Sequence, residues 1–200
     1  MNKTRIAISG KARVGKNSVA EMIVKHSKID IASCKIVALA DPMKNIAMSM
    51  FPEAKKECLF GESELRSHII SNKYKDSNGK PLTYRQFLLD LGAFGRKYLD
   101  TLWLNLLVED AKRNENNIVY IVSDVRYINE YSFLKDAGFY MMRIKRPDYT
   151  KIDDASETQQ DAIKDDEFDY VIDNIGSLED LSNKVKDITA NIMTNKSVYE

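Results

Sequence analysis

Short apolar runs alternate along this chain with longer segments in which apolar residues recur every three or four positions. Five of the runs, Arg5 to Ser9, Lys35 to Ala40, Ile118 to Ser123, Tyr140 to Ile144 and Tyr170 to Ile172, are brief and apolar enough to be buried strands. Strands alternating with helical patterns predict an α/β fold, a five-stranded parallel sheet flanked by helices on both faces.

The helical segments carry their own start and stop signals. Asp41 before Pro42 reads as a capping carboxylate ahead of a first-turn proline, and Met43, Ile46, Ala47 and Met50 then share a face. Thr83 and Gln86 form a capping-box pattern before Phe87, Leu88 and Leu91. Gly138 follows Leu134 and Ala137 as a helix stop, and Ser177 heads a helix with Leu178, Leu181, Val185, Ile188 and Ile192 in one apolar stripe.

Two stretches interrupt the alternation. From Phe51 to Pro81 the chain is polar and rich in turn residues, within a long insertion between the second and third strands that is expected over the carboxyl edge of the sheet. From Pro147 to Asp169 it is acidic, with the pattern of a mobile lid. The expected organisation is one domain, with its core at 1–50 and 115–200, an acceptor-binding insertion at about 51–114 and a lid at about 147–169.

Composition narrows the function classes. The 200 residues carry 30 Lys+Arg against 30 Asp+Glu, so no general attraction to nucleic acid or to a membrane surface follows. No stretch is long and apolar enough to span a bilayer, and the first residues lack a secretion pattern. The two cysteines, Cys34 and Cys58, with the two histidines, His26 and His68, indicate neither a disulfide framework nor a zinc site and make a reducing cytoplasm the expected compartment.

The chemistry lies at the end of the first strand. Gly10-Lys11-Ala12-Arg13-Val14-Gly15-Lys16-Asn17-Ser18 satisfies the G-x-x-x-x-G-K pattern of a phosphate-binding loop, after Ile6-Ala7-Ile8 and before a helix carrying Val19, Met22 and Ile23. Its glycines let successive backbone N–H groups turn toward phosphate oxygens, and the helix N-terminus adds partial positive charge. Lys16 is expected to bridge the β- and γ-phosphates of ATP. Asn17 stands where a hydroxyl residue ordinarily contacts magnesium; its amide oxygen can serve Mg2+ directly or through water, while Ser18 is placed for an α-phosphate contact.

A guanine-specific switch is disfavoured, because Asn72-Lys73-Tyr74-Lys75 and Asn183-Lys184-Val185-Lys186 both lack the aspartate of a base-reading motif. The third strand ends in Ser123-Asp124-Val125-Arg126, an acid and a cation at the edge where open α/β sheets bind ligands. Asp124 could hold magnesium through water, orient an acceptor or Arg126, or cap a helix. Phosphoryl transfer needs positive charge, for which Arg13, Arg85, Arg96, Arg126, Arg143 and Arg146 are candidates. Trp103 reads as core or as the wall of an acceptor pocket.

Taken together, these residues resemble the bacteriophage deoxynucleoside monophosphate kinases among the P-loop kinases. The resemblance runs through Ser9 to Ser18, Leu39 to Lys44, Arg85 to Gly92, Asp100 to Trp103, Ser123 to Glu130, Arg143 to Pro147, Asp154 to Glu157 and Asp173 to Leu178. It implies a homodimer that phosphorylates deoxynucleoside monophosphates with ATP and Mg2+, in the host cytoplasm if phage-encoded. The ATP side then falls on Gly10, Arg13, Val14, Gly15, Lys16, Asn17, Ser18 and Asn174. The acceptor side falls on Asp41, Lys44, Arg85, Trp103, Asp124, Arg126, Glu130 and Glu157, and the catalytic roles on Lys16, Asp124, Arg126 and Arg146. The alternatives are another P-loop small-molecule kinase, acting on dephospho-coenzyme A or a phosphomevalonate-like acceptor, and a regulatory protein that binds ATP without transferring phosphate.

Overall fold

A computed structural model describes residues 3–113, 118–147 and 160–194. These residues contain a five-stranded, wholly parallel sheet in the order β2-β3-β1-β4-β5, made of β1 (Thr4–Ser9), β2 (Cys34–Val37), β3 (Val119–Val125), β4 (Tyr140–Lys145) and β5 (Tyr170–Asp173). All five expected strands are present. The second ends at Val37 because Leu39 and Ala40 already turn into the next helix.

The chain divides into two compact units, Met1–Leu39 with Val108–Glu200, and Ala40–Leu107. The first contains the sheet. Its core sets Ile6, Ile8, Ile121, Met142, Ile144 and Ile172 against Val19 and Ile23 of α1 (Lys16–Ser27) and against the last helix. Strands buried on both faces cannot show polar alternation, so these read as continuous apolar runs. The helix α6 (Ile128–Asp136) ends at Ala137 and Gly138, the latter at φ 79°. The last helix, α7 (Leu178–Thr194), buries Leu181, Val185 and Ile192, whereas Leu178 is 68% exposed. The expected stripe therefore begins one turn later: Ser177 accepts from Asp180 N–H, so Leu178 sits in the unpacked first turn.

The second unit holds α2 (Asp41–Met50), α3 (Lys56–Phe60) and α4 (Tyr84–Tyr98), and α5 (Leu102–Arg113) begins in it. The stretch from Phe51 to Pro81, expected to be irregular, contains α3, a 3-10 turn at Ser63–Ser67 and bridges Ile69–Thr83 and Lys75–Pro81. Polar sequence concealed that order because its few apolar residues are not periodic: Phe51, Cys58, Leu59, Ile70 and Tyr84 converge on one small core. Phe51 meets Tyr74 and Phe87 at ring-centroid distances of 4.8 Å each.

Thr83 caps α4 by accepting from Gln86 N–H, but the Gln86 amide reaches forward to Asp90 instead of back to the cap. Trp103 is buried, donates to the Gly92 carbonyl and lies so close to Gly95 that an added Cβ there would sit 2.5 Å from its ring. Of its two expected roles, the core one describes what is seen. Among the described residues no helix is long and apolar enough to cross a membrane.

Candidate functional site

β1 occupies the centre of the sheet, so the loop that follows it emerges between β3 and β4, where the direction of chain progression reverses and open α/β sheets form a crevice. Gly10 leaves the strand at φ 152°, with the Ile144 carbonyl only 2.6 Å from where a Cβ would stand. Arg13 takes the left-handed conformation at φ 61° on the exposed tip, and Gly15 closes the loop at φ 102°. Lys16 opens α1, is 9% exposed, and its ammonium donates to the carbonyls of Gly10 (2.5 Å) and Lys11 (2.7 Å). A cation is thus held in the hollow of a loop whose backbone curls around it. Asn17 and Ser18 are exposed in the next positions of the helix.

Asn174 follows β5 and donates its side-chain amide to the Val14 carbonyl at 2.9 Å. Assigned by resemblance to ATP, it braces the loop from behind. Ser9 precedes Gly10 and pairs in register with Val125 and Arg143; its hydroxyl is buried without a hydrogen-bond partner among the described residues.

The pairing of β1 with β3 contains a bulge: Ala7 opposes Val122, but Ser9 opposes Val125. The extra residue falls at Ser123–Asp124, and such bulges re-aim side chains at the edges of sites. Asp124 accepts from Leu39 N–H at 2.8 Å, which ties the ends of β2 and β3 together. Two residues on, the Arg126 and Tyr127 N–H groups both donate to Glu130 Oε2, at 2.8 and 3.0 Å. Glu130, assigned by resemblance to the acceptor, therefore caps the entry to α6.

Burial, reinforced by the negative charge of Asp124, outweighs those two hydrogen bonds and raises the Glu130 carboxyl from 4.5 to about 7. Between those values the folded protein holds a proton that the unfolded chain has released, so this group's contribution is full below about 4.5 and is lost as pH rises to about 7. Glu130→Gln keeps an acceptor oxygen for both N–H groups and removes the titration. In urea unfolding, its stability relative to the native chain should rise across that pH window, by on the order of 3 kcal/mol, and stay level above it. A flat difference would assign the carboxyl an ordinary pKa.

On the other side of the loop, a cleft of about 520 Å³ is lined by Gly10, Lys11, Val14, Arg143 to Pro147, Gln160, Asp161 and Asp173. Arg146 lies on its exposed rim. Arg143, by contrast, is largely buried: its guanidinium donates to the Gln160 carbonyl (2.6 Å), the Ile163 carbonyl (2.7 Å) and Asp165 (2.8 Å), and stacks 4.2 Å from the Phe168 ring centroid. Lys145 joins it on Asp165 at 2.6 Å, the carboxyl being held below its usual range by Lys145 and Arg143. In the sequence Arg143 stands out only as one of several candidate cations. The available signal was Arg143-x-Lys145, charges at strand period two on an otherwise apolar strand.

The remaining candidates lie in the second unit. Asp41, expected to cap α2, is its first helical residue after Ala40; in the first turn, where backbone N–H groups lack helical partners, the following proline is tolerated. Its carboxylate meets Lys44 at 2.7 Å, and that ammonium, buried, stands 5.1 Å from the Phe60 ring centroid. Arg85 is exposed in the first turn of α4. Glu157 and most of the expected lid lie outside the described residues.

The donors present suit a hard divalent cation carried mainly by phosphate and water: an exposed Asn17 amide beside the loop, the Asp124 carboxylate on its bulge, and no cluster of three or more potential His, Cys, Asp or Glu ligands among the described residues.

Comparison with known proteins narrows the type of phosphate chemistry. The family profile described as deoxynucleotide monophosphate kinase matches residues 75–185, more than half of the chain. A protein of Acanthamoeba polyphaga mimivirus, named "Putative deoxynucleotide monophosphate kinase", is 24% identical over 155 residues, spanning 74% of this chain and 79% of that protein. A crystal structure of a sugar kinase from Janibacter sp. HTCC2649 covers 95% of this chain and 98% of its own at 15% identity and a TM-score of 0.46, too distant a likeness to carry an argument. The profile match takes in the Asp124 bulge, the Glu130 cap, the Arg143 post and the Asn174 brace, and with it this chain belongs to the deoxynucleotide monophosphate kinase family.

Proposed function

We propose that the protein transfers the γ-phosphate of ATP to a deoxynucleoside monophosphate, giving ADP and the deoxynucleoside diphosphate. The observation that carries this reading is the Gly10–Ser18 loop, with the Lys16 ammonium held inside it, in a chain of this family. The acceptor's phosphate oxygen attacks the γ-phosphorus in line; that bond forms as the bond to the β-bridging oxygen breaks, and no covalent enzyme intermediate is needed.

Lys16 places fixed positive charge where the migrating phosphoryl group gathers negative charge. Arg146 on the cleft rim and Arg126 beyond β3 add cations on either side of the loop, and Asp124 orients the acceptor or a water near it. Asn17, directly or through water, and Asp124, through water, would hold magnesium, which would supply charge neutralisation at the phosphate oxygens. Arg85 supplies a cation for the acceptor phosphate. Asp41 and Lys44 pair with each other and Trp103 packs on α4, so these three serve the acceptor side by holding its helices. The homodimer and the cytoplasmic setting implied by the family resemblance belong to this reading.

The test is to incubate the protein with ATP, magnesium and each of the four deoxynucleoside monophosphates, with ribose counterparts as controls, and to follow ADP and diphosphate formation. Diphosphate from one or more deoxy acceptors is the expected result. Clear ATP binding with no product from any of them would refute the assignment of acceptor.

A further inference from the structure

Lys11, the second residue of the phosphate loop, was given no role by its motif, because that position is variable. In the structure it is wired on both sides. Its carbonyl accepts from the Lys16 ammonium at 2.7 Å, and its own ammonium pairs with Asp161 at 2.9 and 3.1 Å. Lys11 and Asp161 line the same cleft as Gly10 and Val14. Asp161 directly follows Gln160, whose carbonyl is fixed by Arg143 at 2.6 Å, so the carboxylate is presented from an anchored post.

The geometry points to Lys11 as a second phosphate-binding cation of the loop and to Asp161 as its competing counter-ion. This rests on the reading of the loop as an ATP site. A triphosphate entering the loop brings oxygens of the same charge and hydrogen-bonding character as the Asp161 carboxylate, within reach of the same ammonium, and the two anions exclude each other there. The acidic residue thus sets how much of the Lys11 charge the donor can use. The pair is partly solvated, with side chains 28% and 57% exposed, so the competition is mild and sensitive to salt.

ATP affinity, measured by calorimetry at low and high ionic strength for the native chain, Asp161→Asn, Lys11→Gln and the double variant, tests the proposal. Asp161→Asn should bind ATP about two- to five-fold more tightly, with a smaller gain at high salt, and Lys11→Gln should bind it more weakly. In the Lys11→Gln background, Asp161→Asn should change nothing. Weaker or unchanged binding by Asp161→Asn overturns the competition, and an equal gain with and without Lys11 overturns the pairing in favour of a general field effect. Failure of the native chain to bind ATP overturns this proposal together with the ATP reading of the loop, whereas native binding and turnover with no response at Asp161 sinks the proposal alone. Both residues are surface groups, and coincident thermal unfolding midpoints establish that the variants are folded.

Discussion

Lys16→Ala should lower the rate of phosphoryl transfer by roughly three orders of magnitude while leaving the protein folded. The ammonium it removes is the buried charge of the loop, and preorganised charge counts most where water is excluded. The substitution leaves the carbonyls of Gly10 and Lys11 without that donor, a loss of about 1 to 3 kcal/mol that water entering the widened loop largely recovers. Single-turnover kinetics beside circular dichroism separate the two effects. A folded variant retaining native turnover would remove Lys16 from the chemistry.

Gly10→Ala should do the reverse, spoiling the shape of the loop while leaving every charge in place. At φ 152° an alanine is strained, and its Cβ would meet the Ile144 carbonyl at 2.6 Å and the Val14 side chain at 3.0 Å. The Ile144 carbonyl belongs to β4, the strand paired with β1, so relief requires the sheet itself to shift. Overpacking and backbone strain each cost about 1 to 3 kcal/mol, which predicts a thermal midpoint lowered by roughly 5 to 20 °C and ATP binding weakened at least about tenfold. Differential scanning calorimetry with and without ATP reads both. A native midpoint would show that the loop absorbs a methyl group without moving β4.

Much of this was legible in the sequence, for identifiable reasons. Buried parallel strands declare themselves as apolar runs, so all five strands appeared at or near their ends. The phosphate loop was legible because its demands are local: two glycines, a lysine, a strand before and a helix after. What escaped depends on residues distant in the chain. The bulge that re-aims Asp124 exists only through the register of β3 against β1. The reach of Arg143 to Gln160, Ile163 and Asp165 exists only once the chain returns beside β4. Glu130 takes an acceptor role only from the family resemblance, and its hold on the Arg126 and Tyr127 N–H groups shows only once the chain turns into the helix after β3. Asp41 looked like a cap because an acid before a first-turn proline is a capping pattern; the helix instead starts at Asp41 itself, and its carboxylate pairs with Lys44 one turn on.

The brace between Asn174 and Val14 bears on the order in which the protein matures during synthesis. β1 is flanked on both sides by strands made much later, Thr4 pairing with Val119 and Ile6 with Tyr140, and the amide that steadies the loop lies 160 residues beyond it. On a translating ribosome the phosphate-loop segment emerges well before its supports, and such long-range pairing is slow to form. On the proposed reading of the loop, a nascent chain therefore grips nucleotide firmly only once Asn174 has cleared the exit tunnel, and ATP would select chains that have reached this brace over shorter ones.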